Sequence, residues 1–209
     1  MKILFISLGC DKNLADSEEM LGLLTGNGHE IVDSEEEADA IVINTCCFIH
    51  DAKEESVNTI LEMAEYKKTG TCKILIVTGC MAQRYKEEIT EEIPEVDAVL
   101  GTTSYGDIVK ALNEAEAGHV FREFKDINAL PEDSGRRVIT TGGHFGYLKI
   151  AEGCDKHCTY CIIPSLRGKF RSVPEERLLK QAEYMASQGV RELILVAQET
   201  TVYGTDLYG

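Results

Sequence analysis

The chain has 209 residues, enough for one large domain or two small ones, and its apolar share of 44% is that of a globular protein. Lys and Arg number 21 against 36 Asp and Glu; the net charge of −15 argues against general affinity for nucleic-acid backbone and suits a solvated acidic surface or a basic partner. No apolar run approaches the roughly 18 residues that cross a bilayer, and "MKILFISLGC" lacks a basic n-region or a small-residue cleavage site, so it reads as a first strand in a cytoplasmic protein.

Residues 1–117 alternate apolar runs with amphipathic helical patterns. Strands are predicted at 3–8, 30–32, 40–44, 73–78 and 97–100. Helices are predicted at 13–24, stopped by "GNG", at 52–68, at 83–93 ahead of Pro94, and at 105–117 ahead of Gly118. The alternation implies an α/β fold, a five-stranded parallel sheet with helices on both faces. Residues 118–143 mix Pro, Gly and charge and read as a linker that could hold a strand at 138–140. A second βα pattern fills residues 144–209. It has a strand at 147–151, a long cysteine loop, a helix opened by Pro174 and ended at Gly189, and a strand at 192–197.

Eight cysteines are too sparse for a small disulfide scaffold, and in a reducing compartment spaced cysteines more often bind metal or do redox chemistry. Apolar runs deliver Cys10, Cys46 and Cys80 at the ends of the first, third and fourth strands. Ligands of open parallel sheets sit beyond the carboxyl ends of the strands. The common order 2-1-3-4-5 sets these three strands side by side, about 4.8 Å apart, so that three thiolates could converge on one cluster. The plainer reading is three buried cysteines packed as small hydrophobes. Spacings of 36 and 34 residues fit no zinc-finger pattern. Cys47 and Cys72 read as bystanders.

"EGCDKHCTYCIIPS" places Cys154, Cys158 and Cys161 in a C-x3-C-x2-C spacing. Three thiolates in eight residues can wrap one face of a cubane iron–sulfur cluster and leave one iron open. A zinc loop would want a fourth ligand, for which His157 is the only nearby candidate. Tyr160, before the last cysteine, adds an aromatic to the pattern.

C-x3-C-x-aromatic-C after the first strand of a βα repeat resembles the radical S-adenosylmethionine (SAM) superfamily. With the upstream triad it resembles the methylthiotransferases. "SLGCDKNLADSE", "NTCCFIHDAKEES", "VTGC", "CTYCIIPSLRGKFRS" and "AQETTVYGTDLYG" are most similar to the RimO type, which modifies a ribosomal protein. The resemblance implies two 4Fe-4S clusters and SAM as cofactors. Cys154, Cys158 and Cys161 would hold the radical cluster, and Cys10, Cys46 and Cys80 an auxiliary cluster that carries the sulfur. It implies methylthio transfer to the β-carbon of an aspartate of ribosomal protein S-twelve, with no direct nucleic-acid or membrane partner, and leaves the sulfur donor and the reductant protein unassigned. It further implies that the Tyr160 backbone meets adenine and that Gln198 and Glu199 meet the methionine end. Arg167 and Arg171 read first as solvated loop residues, with cofactor or substrate carboxylate as the alternative.

Asp11 stands where the family often has proline and Val173 where it often has arginine, the second of which weakens any role for that loop. A transfer-RNA methylthiotransferase, or a non-catalytic iron–sulfur carrier module, is the alternative function. A radical SAM barrel needs several βα units. Residues 144–209 offer about two strands and one helix, so they are expected to be the start of a truncated barrel. Residues 1–117 are expected to fold alone, and the 209 residues by themselves are expected to transfer no methylthio group.

Overall fold

A computed structural model describes residues 1–209. Successive residues of a strand point to opposite faces, and here both faces are buried. Ile41, Ile43, Leu75 and Val77 join a core of 19 residues on one face. Ala40, Val42, Ile74 and Ile76 join a core of 14 on the other. That double burial is why β3 (Ala40–Thr45) and β4 (Ile74–Gly79) read as unbroken apolar runs. With β1 (Lys2–Ser7), β2 (Glu30–Val32), β5 (Ala98–Leu100) and β6 (Phe121–Glu123) they form an all-parallel sheet in the order β2-β1-β3-β4-β5-β6.

The first core is covered by α2 (His50–Thr69), α3 (Cys80–Arg84) and α4 (Lys86–Glu92), through Ile60, Met63, Met81 and Ile89. The second is covered by α1 (Asp11–Gly26) and α5 (Ile108–Glu116), through Met20, Leu24, Ile108 and Leu112. The sheet has six strands rather than the expected five. β6 pairs with β5 from inside the stretch read as linker; it is a three-residue edge strand with only Phe121 packed against the core, too short to show a period. The helix expected at 83–93 is two. Tyr85 leaves helical geometry at φ −120 and packs on the core, and α3 begins three residues earlier, at Cys80.

No strand forms at 138–140. The Val138 amide donates instead to the Glu18 carbonyl at 3.0 Å, and the Thr140 amide to Glu18 Oε1 at 2.7 Å. The second part of the chain pairs β7 (Phe145–Lys149) in parallel with β10 (Glu192–Val196), so the first of these strands starts and ends two residues earlier than expected. Between them, β8 (Ala151–Glu152) pairs antiparallel with β9 (Arg171–Ser172), α6 (Ile163–Arg167) follows the cysteine loop, and α7 (Glu175–Ser187) starts directly after Pro174. A last turn, α8, spans Thr205–Tyr208. The core of this second part has six residues. Leu166 of α6 is buried in the larger core of the first sheet, and the Thr102 hydroxyl donates to its carbonyl at 2.8 Å, so the two parts are packed together.

Candidate functional site

β1, β3 and β4 end level with one another, as the pairs Ser7 with Asn44 and Thr45 with Gly79 show. Each tip then turns sharply. Gly9 and Gly79 hold φ of +95 and +94, a region that strains other residues. A Cβ on Gly79 would lie 2.3 Å from Asn44 Oδ1, and one on Gly9 would lie 2.6 Å from Cys46 Cβ. These turns deliver Cys10 to the N-cap of α1, Cys46 to the residue after β3, and Cys80 to the first residue of α3.

The three thiols line one cavity of about 1050 Å³, with Arg167 and Gln198 in its wall. Cys46 and Cys80 are buried and Cys10 is exposed. Burial raises the Cys46 thiol pKa, and the neighbouring Cys80 and Cys10 raise it further. No three His, Cys, Asp or Glu side chains stand close enough to hold a single metal ion. Thiolates of an iron–sulfur cluster bond to different irons and need wider spacing. Three thiols spread around one cavity therefore fit a cluster better than one ion.

Cys47 and Cys72 are outside that cavity wall, in the core. The Cys47 thiol donates to the Cys80 carbonyl at 3.3 Å, and burial pushes its pKa up to about 12. The Cys72 thiol donates to the Ile74 carbonyl at 3.3 Å, and burial raises it too.

The second cysteine loop leaves β8 at Gly153, whose φ is +73. A Cβ there would strike the Lys169 carbonyl at 2.0 Å. The Cys154 amide donates to the Gly168 carbonyl at 3.1 Å and the Phe170 amide to Asp155 Oδ1 at 3.0 Å, so the loop's base is tied to the turn before β9. Cys158 and Cys161 close a turn, Cys161 N to Cys158 O at 2.9 Å. Cys154 and Cys161 are half-buried, while Cys158 is exposed and Tyr160 is 91% exposed. None of these four residues lines the cavity of the first triad. Gln198 does, and its Oε1 accepts from Lys12 Nζ. Glu199 sits outside it, 3.0 Å from Lys156; hydrogen bonds from Thr201 and Lys156 lower its pKa to about 2.

The site's least expected feature is a buried ionic seam between the two parts. Arg167, read from sequence as a solvated loop residue, is 3% exposed. Its Nη1 lies 2.7 Å from Asp16 Oδ2 and 3.6 Å from Glu152 Oε1. Lys149 pairs with Asp16 and, at 2.7 Å, with Glu152; Lys12 reaches Glu152 at 3.1 Å. Burial opposes charge on Lys149, yet Asp16 and Glu152 outweigh it and hold its pKa well above the ordinary value. Burial would raise Glu152, but Lys12, Lys149 and Arg167 hold it well below. For Lys12 burial wins, lowering its pKa to about 8. Arg171 is half-buried, with Nη1 on the Arg167 carbonyl at 3.1 Å. The available signal was the i, i+4 spacing of Lys12 and Asp16 on a helix with few apolar residues in its first two turns.

A six-stranded parallel sheet with cysteines at its tips, followed by a βα segment with its own cysteine loop, makes this a two-part α/β protein. Residues 148–207 match the Radical SAM superfamily, and residues 2–101 match the family described as Uncharacterized protein family UPF0004. The protein named Ribosomal protein uS12 methylthiotransferase RimO in Lachnoclostridium phytofermentans is 66% identical, matched over 100% of this chain and 48% of its own length. Proteins of the same name from Clostridioides difficile and Acetivibrio thermocellus are 52% and 51% identical, over 100% of this chain and 47% of theirs. The chain is thus similar over its whole length to proteins of that name, and it spans about half the length of these curated relatives. No helix is long and apolar enough to cross a membrane.

Proposed function

We propose that the chain is the cluster-bearing part of a cytoplasmic radical SAM methylthiotransferase whose substrate is an aspartate β-carbon of ribosomal protein S12. Residues 1–117 with the added edge strand form the methylthiotransferase domain, the stretch up to 143 is a connector, and residues 144–209 begin the radical SAM domain. Cys154, Cys158 and Cys161 hold one 4Fe-4S cluster, and Cys10, Cys46 and Cys80 hold a second. When bound, these clusters and SAM supply one-electron cleavage chemistry and the sulfur to be inserted. The chain's residues bind and orient. Three sheet tips present thiolates to a cavity, the Tyr160 backbone meets adenine, and Gln198, steadied by Lys12, and Glu199 meet the methionine end.

The single observation that carries this reading is the convergence of Cys10, Cys46 and Cys80 on a cavity whose other wall includes Gln198. The relatives' names and the radical SAM match support it. A net charge of −15 favours a basic ribosomal partner, by an attraction that fades with salt, over transfer RNA.

Two measurements test it. Anaerobic reconstitution of residues 1–209 is expected to load about eight irons per chain, and replacing Cys154, Cys158 and Cys161 together by Ala to halve that. Zinc in place of iron, or loss of all iron in the triple variant, would defeat the assignment. Disruption of the gene is expected to remove the methylthio group from ribosomal protein S12 by mass spectrometry; its loss from transfer RNA instead would redirect the substrate.

A further inference from the structure

Asn13 is completely buried, and its side chain reaches all three cysteine-bearing tips. Its Nδ2 donates to the carbonyl of Leu8, two residues before Cys10, at 3.0 Å, and to the carbonyl of Thr45, next to Cys46, at 2.9 Å. Its Oδ1 stands 3.9 Å from Cys80 Sγ and accepts from Arg167 Nη2. A primary amide offers two N–H donors and two carbonyl lone pairs. Each has a partner here, and each partner belongs to a different segment of chain. No other side chain hydrogen-bonds to all three tips. Its own backbone carbonyl accepts from Asn44 Nδ2 at 2.9 Å, which fixes it to β3 a second time. Arg167 arrives from the other half of the molecule, on the short helix that follows Cys161 by two residues. With Nη1 on Asp16 and Nη2 on Asn13, its guanidinium is locked on α1 beside Cys80.

We infer that Asn13 is the positioning residue of the Cys10–Cys46–Cys80 site and that Arg167 makes this site depend on docking of the radical SAM segment. The inference rests on the cluster reading proposed above. Asn13 sets the spacing of the tips by tying Leu8 to Thr45. Arg167 holds the Asn13 amide in the orientation that faces Nδ2 to both carbonyls. It also brings a fixed positive charge beside thiolates that would carry negative charge to a cluster. Residues behind ligands commonly tune metal sites in this way, and their loss typically costs 10–100-fold in metal affinity.

The test uses the chain with Cys154, Cys158 and Cys161 replaced by Ala, so that only the first site can load. This parent is reconstituted with iron and sulfide and expected to hold about four irons. Asn13→Asp keeps the size but removes both donors, setting an acceptor against the Leu8 and Thr45 carbonyls. It is expected to lose iron to a chelator about 10–100-fold faster than the parent. Arg167→Gln leaves the sequence of α1 unchanged and removes the charge that meets Asn13 and Asp16, while Lys149 still pairs with Asp16. It is expected to shift the electron paramagnetic resonance signal of the reduced site, a change that a merely structural role would not produce.

A parent that binds no iron defeats the cluster reading, and this inference with it. A loaded parent with both variants unchanged in chelator resistance and spectrum overturns this inference alone. Should Asn13→Asp fail to melt cooperatively without iron, Arg167→Gln decides by the same two readouts.

Discussion

At the residue scale, two glycines with similar backbone angles carry different duties. Gly153 and Gly28 have φ of +73 and +84, so an alanine at either adopts a left-handed geometry that costs roughly 1–2 kcal/mol. A Cβ on Gly28 meets nothing within 4 Å, whereas on Gly153 it meets the Lys169 carbonyl at 2.0 Å and that of Gly168 at 2.5 Å. Both obstacles are backbone, and both belong to the turn that anchors the cysteine loop. Gly28→Ala is expected to lower the urea midpoint modestly and leave iron loading intact. Gly153→Ala is expected to be the more destabilising and to strip iron from the Cys154–Cys158–Cys161 site while the first triad stays loaded. Equal effects of the two substitutions on stability and iron would contradict the steric account.

At the element scale, α1 decides how the two parts fit. Its outer turns pack Met20 and Leu24 into the sheet core, but its first turns bury Lys12, Asp16, Glu18 and Glu19. Arg137 meets Glu18 with Nε to Oε2 at 2.7 Å, and the Tyr105 hydroxyl donates to Glu19 at 3.2 Å. Such a seam adds little net stability when intact, because desolvation offsets attraction, but breaking it leaves a buried charge alone. Lys149→Met is therefore expected to destabilise the protein in urea denaturation, by less than the about 3–5 kcal/mol of a fully stranded buried charge, because Arg167 still pairs with Asp16 and Lys12 with Glu152.

The pH dependence follows from the direction of the Lys149 shift. Its folded pKa lies above the ordinary 10.5, so the folded state binds the proton more tightly. The stability this contributes is fully present below 10.5 and is lost as pH rises through the higher folded value. The gap between wild type and Lys149→Met is expected to narrow in that alkaline range. A gap that widens there would reverse the sign of the argument.

At the scale of the whole molecule, stability is unevenly distributed. The first sheet is sandwiched between cores of 19 and 14 residues, while β7 and β10 rest on one of six. Leu193, Ile194 and Leu195 of β10 are 37%, 37% and 55% exposed. Sparse burial gives low free energies of local opening. Hydrogen exchange is expected to be slowest in β1, β3 and β4 and fastest among the long strands in β10, with residues 192–196 opening while the first sheet stays protected. Protection of β10 equal to that of β4 would refute this ranking. The seam and the burial of Leu166 set a limit on the separation: α6 is expected to exchange with the first sheet rather than with β10.

The sequence by itself determined the βα alternation, the parallel sheet and the residues at its tips, because a strand buried on both faces is apolar throughout and a cysteine ends each of the three central runs, with Gly before it at Cys10 and Cys80. It also made the C-x3-C-x2-C loop legible, since spacing within eight residues survives whatever the rest of the fold does. The short edge strand β6 escaped, because three residues carry no period. Tertiary structure alone decided that Lys12, Asp16, Lys149 and Arg167 are interior. Asp16 is 133 positions from Lys149 and 151 from Arg167. A charged helix face reads the same whether water or another chain segment neutralises it. Asn13 was hidden for the same reason: a lone amide in a polar run acquires its four partners only when the three tips and α6 close around it.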